Sequence, residues 1–184
     1  MVEEQILKDV YQFYLDLFGA ADDFYKFKDK EESKHFPKRI DICVWHADEE
    51  CDITIFTTLG MSSIPMIDGH RAELNFAIRK KLSEEEIKEV SDFLVNFAML
   101  PFHYKNKMDW WDIIPVGKDI PLFKSTEHIV LHPKFSEDAT DLIRADRRDV
   151  KIFNLIPITN EEKDLHVVSK ITEHLMSFDF LTPR

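Results

Sequence analysis

The chain has 184 residues, 44% of them hydrophobic and 15 of them phenylalanine. That is enough apolar material for a core without a metal or disulfide staple. Its 35 acids outnumber its 24 bases, for a formal charge of −11, a balance that repels nucleic acid and speeds encounter with a basic partner. No apolar run approaches the roughly 18–20 residues a membrane span requires, and the amino terminus carries acids where a secretory leader carries bases. The reading is therefore cytoplasmic, with no membrane and no nucleic-acid partner.

Residues 3–18 space Ile6, Val10, Phe13 and Leu17 by four, three and four, with Leu7, Tyr14 and Phe18 widening the stripe. The pattern predicts an amphipathic helix stopped near Gly19. The charged stretch that follows, up to Pro37, reads as helix end and surface loop, the best candidate for a mobile segment. Arg39–His46 alternates as a strand, with Ile40, Ile42 and Val44 on one face and Asp41, Cys43 and Trp45 on the other. An acidic turn, Asp48, Glu49 and Glu50 within it, leads into "ITIFTTLG", so the two strands make a hairpin. Cys43 lies in the first strand and Cys51 in the turn. Without CxxC spacing they read as two reduced thiols, although a disulfide across the hairpin is geometrically conceivable.

After the corner "GMSS", Arg71–Arg79 alternates again. Ala72, Leu74, Phe76 and Ile78 face inward, while Arg71, Glu73, Asn75 and Arg79 face outward. Ser83 and Glu86 have capping-box spacing before a helix whose buried stripe is Ile87, Val90, Leu94 and Phe97, ended by Pro101. Residues 102–126, with two prolines and a glycine, read as an irregular connection. "EHIVLHP" is a short strand, "DATDLIRADRRD" reads as holding a helical turn, and "VKIFNLIPIT", apolar on both faces, reads as a central strand. Thr159 and Glu162 form a second capping-box pair before a helix over about 160–177, with Leu165, Val168, Thr172 and Leu175 on one side. With no repeat and no linker, 1–184 reads as a single α+β domain, a mixed β-sheet with helices packed against it.

Catalytic constellations fail one by one. His128 and His132 share a strand face but stand roughly 13 Å apart, and His166 and His174 lie two turns apart on the last helix. HExxH, P-loop and GxGxxG patterns are absent. Ser62 follows Gly60 at the spacing of a nucleophile elbow, yet the glycine two residues beyond is missing. No catalytic residue, metal site or cofactor is expected. Arg144, Arg147 and Arg148, interleaved with Asp146 and Asp149, read as local ion pairs, with an anion or acidic partner as the alternative. The adjacent Trp110 and Trp111 either anchor a protein interface or pack under their own loop.

In order, these segments resemble the suppressor of fused family. The corner Thr58-x-Gly60-Met61-Ser62 precedes a strand with Glu73 and Leu74, a segment with Trp111 and Gly117 follows the helix, and the last strand ends in Pro157, Thr159 and Glu162. The resemblance covers about residues 38–178, and Leu59 departs from it where a small residue is usual. It implies an α/β sandwich with no known catalysis, acting through protein contacts. In this reading Gly60 permits an unusual backbone angle, Met61 fills a core gap and Ser62 ties down the turn. Single-domain bacterial members are often proposed as immunity proteins that neutralise a toxin, and an acidic surface would suit a basic toxin. Alternatives are a regulatory scaffold for a non-toxin partner, and a hydrolase using the GMSS corner. Candidate partner-binding residues are Trp110, Trp111, Asp48, Glu49 and Glu50.

Overall fold

A computed structural model describes residues 2–28, 35–117, 120–134, 141–164, 173 and 179–184. Helix α1 (Val2–Phe18) leads to strands β1 (Asp23–Lys28), β2 (Arg39–Trp45) and β3 (Thr54–Leu59), a single 3-10 turn (Met61–Ser63) and β4 (Arg71–Ile78). Helix α2 (Glu84–His103), strands β5 (Ile113–Pro115), β6 (His128–His132), β7 (Leu142–Ala145) and β8 (Arg148–Ile158), and the short α3 (Asn160–Lys163) complete the described elements. The eight strands form one mixed sheet in the order β1-β2-β3-β4-β8-β6-β5, with β7 also on β8. Among the described residues only the β4–β8 pairing is parallel.

The alternation in the strands sorts their side chains onto two covered faces. Ile40, Ile42 and Val44 of β2 join Leu74, Phe76 and Ile78 of β4 in the core beneath α2, whose Ile87, Val90, Leu94 and Phe97 fill it. Cys43 and Trp45 turn to the opposite face and meet Ile6, Val10 and Tyr14 of α1, with Ile143, Val150 and Ile152. The α1 stripe is thus rotated from its expected position: Leu17 is 56% exposed, whereas Tyr14 is buried edge-on against Trp45. Gly19, at φ +79, ends the helix, and its N–H donates to the Leu15 carbonyl. Both faces being covered is why β8 is buried without a break from Ile152 to Ile158; β4 holds its one edge, β7 and β6 the other.

Four expectations are corrected. The segment read as loop after α1 contains edge strand β1, which buries only the Tyr25 and Phe27 side and carries Lys26 and Lys28 on the other, so its apolar signal is half that of an inner strand. Pro101 does not end α2, which continues to His103. A proline in the last turn forfeits a single hydrogen bond there, and Asn106 N–H still closes onto the Pro101 carbonyl. The irregular connection holds β5. In "LIRADRRD" the structure has a hairpin, not a helical turn: Ile143 and Ala145 are buried in alternation, and Asp146 and Arg147 form a two-residue turn with φ of 45° and 62°. Two positive φ values are the signature of a type I′ turn, whose twist matches the strands it joins. The turn is tied to α1, because Asp146 N–H donates to the Asp9 carboxylate at 2.7 Å.

Both capping boxes are formed, Ser83 with Glu86 and Thr159 with Glu162. The stripe Leu165, Val168, Thr172 and Leu175, with His166 and His174, lies outside the described residues. Both cysteines are free thiols. Among the described residues no helix is long and apolar enough to cross a membrane.

The Asp146-Arg147 turn yields a stability prediction. Arg147→Gly should relieve about 1–2 kcal/mol of left-handed strain against about 0.5–1 kcal/mol of added unfolded-state entropy. A net gain of about 0.5–1 kcal/mol in urea unfolding is expected, and a loss would contradict the turn assignment.

Candidate functional site

The polar residues most suggestive of chemistry converge where β3 hands over to the 3-10 turn. Thr58 ends the buried part of β3, Gly60 reverses the chain, and β4 brings Glu73 alongside. Here a further expectation is overturned: Glu73 does not face outward to solvent but is fully buried. A carboxylate removed from water needs its lone pairs filled. Oε1 accepts from the Gly60 and Ser62 N–H groups, each at 3.0 Å, and from the Ser62 hydroxyl at 2.6 Å. Oε2 accepts from the Thr58 hydroxyl at 2.5 Å, and that hydroxyl oxygen in turn accepts from the Leu74 N–H at 2.8 Å.

Neighbouring groups complete the corner. Ser63 Oγ donates to the Gly60 carbonyl at 2.6 Å, and Arg71 Nη1 donates to the Ser62 and Ser63 carbonyls at 2.5 and 2.7 Å. Met61 enters the α2-side core at 1% exposure. Gly60 adopts φ +131, and a Cβ there would overlap the Arg39 carbonyl oxygen at the start of β2. Burial raises the Glu73 carboxyl above the ordinary carboxylate range, while the hydrogen bonds from Ser62, Thr58 and Gly60 pull the other way. Burial also raises Tyr14 and pushes the Cys43 thiol up to about 12, so neither is an activated nucleophile.

Chemically, this arrangement is closed. Thr58, Ser62 and Glu73 are each 0% exposed, so no substrate reaches the serine, and its hydroxyl proton is committed to a carboxylate that also serves three other donors. Elsewhere, His46 contacts Asp23 at 2.7 Å and His70 contacts Asp68 at 3.1 Å, both at the surface. His132 is lowered by burial and accepts from the Lys134 N–H. Among the described residues no three His, Cys, Asp or Glu side chains are placed to hold a metal.

The remaining candidates lie at separate places. Trp110 is half-buried: its indole N–H donates to the Ile152 carbonyl at 3.0 Å, and the Lys151 ammonium sits 4.8 Å from its ring centroid while paired with Asp109 at 2.6 Å. Trp111, at φ +71, turns to the other side and packs edge-on against His132 beside Val130, Ile156 and Ile158. Asp48, Glu49 and Glu50 are exposed; Asp48 accepts from the Glu50 and Cys51 N–H groups, each at 2.8 Å, and those backbone bonds lower its pKa. Gly117 is an exposed turn at φ +73. Leu74 and Pro157 are buried, and Glu162 closes its capping box on Thr159 while receiving both Arg184 terminal nitrogens at 2.7 Å. Arg144 pairs with Asp149 at 2.5 Å.

Sequence reasoning missed Glu73 as the centre and Arg71 as the clamp on the turn. The available signal was that helices were expected from both ends of the chain: a sheet covered on both faces has no outward side for β4 residues to take.

An α+β sheet of this order with a sealed Thr-Gly-Met-Ser corner defines a fold class, and the family follows from comparison. The model of the suppressor of fused protein (SUFU) family matches residues 37–176, and the chain belongs to that family. No curated protein matches it. Among solved structures it is similar to a SUFU homologue from Neisseria gonorrhoeae FA 1090, at TM-score 0.67 and 15% identity, covering 100% of this chain and 94% of that one. It is also similar to a chain of a Sufu-Fu complex, at TM-score 0.59 and 13% identity, covering 89% of this chain and 78% of that one. Drosophila Suppressor of Fused matches at TM-score 0.58 and 12% identity, covering 89% of this chain and 43% of that one. At these identities the likeness is one of fold.

Two variants test the corner. Gly60→Ala should cost at least about 2 kcal/mol, since it combines a disfavoured φ with a backbone overlap; unchanged urea unfolding would refute the geometry. For Glu73, a folded pKa above the unfolded one means its contribution to stability is fully present below the ordinary value of 4.5 and is lost as pH rises through the folded value. The stability of wild type relative to Glu73→Gln should therefore fall as pH rises above 4.5. A difference that rises with pH would reverse the sign.

Proposed function

We propose that the chain works by binding a protein and catalyses no reaction. The observation that carries this reading is the sealed corner: the hydroxyls and the carboxylate that an enzyme would expose are spent holding β3, the 3-10 turn and β4 together. The family relationship supports it, one similar structure being a complex of Sufu with Fu. A net charge of −11 favours a basic partner, through long-range steering of the encounter. The acidic turn Asp48-Glu49-Glu50 is the proposed point of approach, with the exposed edges of Trp110 and Trp111 as a second contact. A toxin is the narrower form of this partner, and a regulatory target with a basic surface is the broader one.

The test is affinity capture with the purified chain from lysate of its own source, followed by calorimetry on the captured protein. A basic protein bound in stoichiometric amount is expected, with affinity falling as salt rises and association slowed by Glu49→Lys with Glu50→Lys. Rescue of cells from that protein by co-expression would identify it as a toxin. Turnover of a small substrate that disappears in a folded Ser62→Ala variant would overturn the reading.

A further inference from the structure

Helix α2 and strand β5 do not close on one another completely. Between them lies a hollow of about 440 Å3, a size typical of small-molecule sites. Phe93, Phe97 and Met108 form its almost fully buried floor, and the half-buried Leu100, Ile114 and Val116 form its walls. Asn96, Asn106 and Lys107 supply polar groups at the mouth. Lys107 is the one lining residue that carries a full charge, and neither its ammonium nor the Asn106 side-chain amide has a partner among the described residues. In a chain of formal charge −11, an unpaired cation at the mouth of an apolar hollow is selective for one kind of head group.

The neighbouring strand edge limits what else could enter. The Asp112 carbonyl accepts from the Leu131 N–H of β6 at 3.0 Å, and the Val116 N–H donates to the carbonyl of Glu127, just before β6, at 2.9 Å. By alternation Ile113 and Pro115 point their backbone groups to the free edge. Pro115 has no N–H, so β5 offers a visiting strand one donor and then a proline. Docking by strand addition is blunted, and occupancy has to rest on the apolar walls. The hollow also lacks the array of donors and acceptors that a nucleotide or sugar would need.

We propose that this hollow binds a small amphipathic anion, a medium-chain fatty carboxylate being the simplest member, with its hydrocarbon over Phe97 and Met108 and its head group at Lys107. The site is independent of the protein-binding reading and goes beyond it.

Calorimetric titration of the full chain with octanoate, decanoate and dodecanoate, and with decanol, tests it. One-to-one saturation is expected, with affinity rising about fourfold for each added methylene. Val116→Trp, which fills the hollow from a half-buried position, should weaken decanoate at least tenfold while the thermal melt is retained. Leu100→Arg serves the same purpose if that variant does not fold. Lys107→Gln should weaken decanoate about two- to fivefold at low salt, as for an exposed ion pair, and leave decanol unchanged. Absent binding, affinity independent of chain length, or affinity indifferent to both filling variants would overturn the proposal. Saturation by an acidic amphipathic peptide with no response to decanoate would overturn it too, assigning the hollow to a protein partner.

Discussion

Glu73 holds its carboxylate where water does not reach, and four hydrogen bonds from three residues converge on it. Such a group is costly to bury and tolerable only when every lone pair is answered. That requirement explains the company it keeps. A hydroxyl at position 58 answers Oε2. A turn tight enough to aim the Gly60 and Ser62 N–H groups together at Oε1 needs the φ of +131 that Gly60 supplies, and the same turn brings the Ser62 hydroxyl to Oε1. Thr58, Gly60, Ser62 and Glu73 are therefore one device, and losing any member strands the polar groups of the others.

The device matters because of what it joins. Strand β4 is parallel to β8, and β8 carries β6 and β7 on its other edge, so whatever positions β4 against β3 connects the two halves of the sheet. Arg71 reinforces the same place by gripping the turn carbonyls. Helices α1 and α2 then cover opposite faces, and α1 is fastened to the β7–β8 turn through Asp9. This polar chemistry is committed to the interior, and Thr58, Ser62 and Glu73 present no exposed group at the corner.

Where burial was decided by alternation, the sequence was legible. β2 and β4 show their period, β6 and β8 stand out as short apolar runs, and the capping boxes at Ser83 and Thr159 mark two helix starts. The family motifs pointed to the corner. Elements with weaker local signals were not legible. β1 buries a single face at the sheet edge, β5 is three residues long, and in β7 the spacing of Leu142, Ile143 and Ala145 fits a helical turn as well as a strand until β8 is known to lie beside it. Glu73 was misplaced because a strand pattern records which side a residue faces, whereas burial depends on whether something covers that side. The hollow beside β5 left no pattern at all, being formed by parts of the chain that meet only in three dimensions.

Amide hydrogen exchange at Gly60 and Ser62 examines the organising role of the buried carboxylate directly. Both N–H groups lie in a turn, where rapid exchange is the ordinary expectation. If Glu73 holds the corner as one unit with the sheet, they exchange only on global unfolding, with the same protection as Leu74 of β4. Exchange near the rate of an open loop, while Leu74 stays protected, would contradict the account.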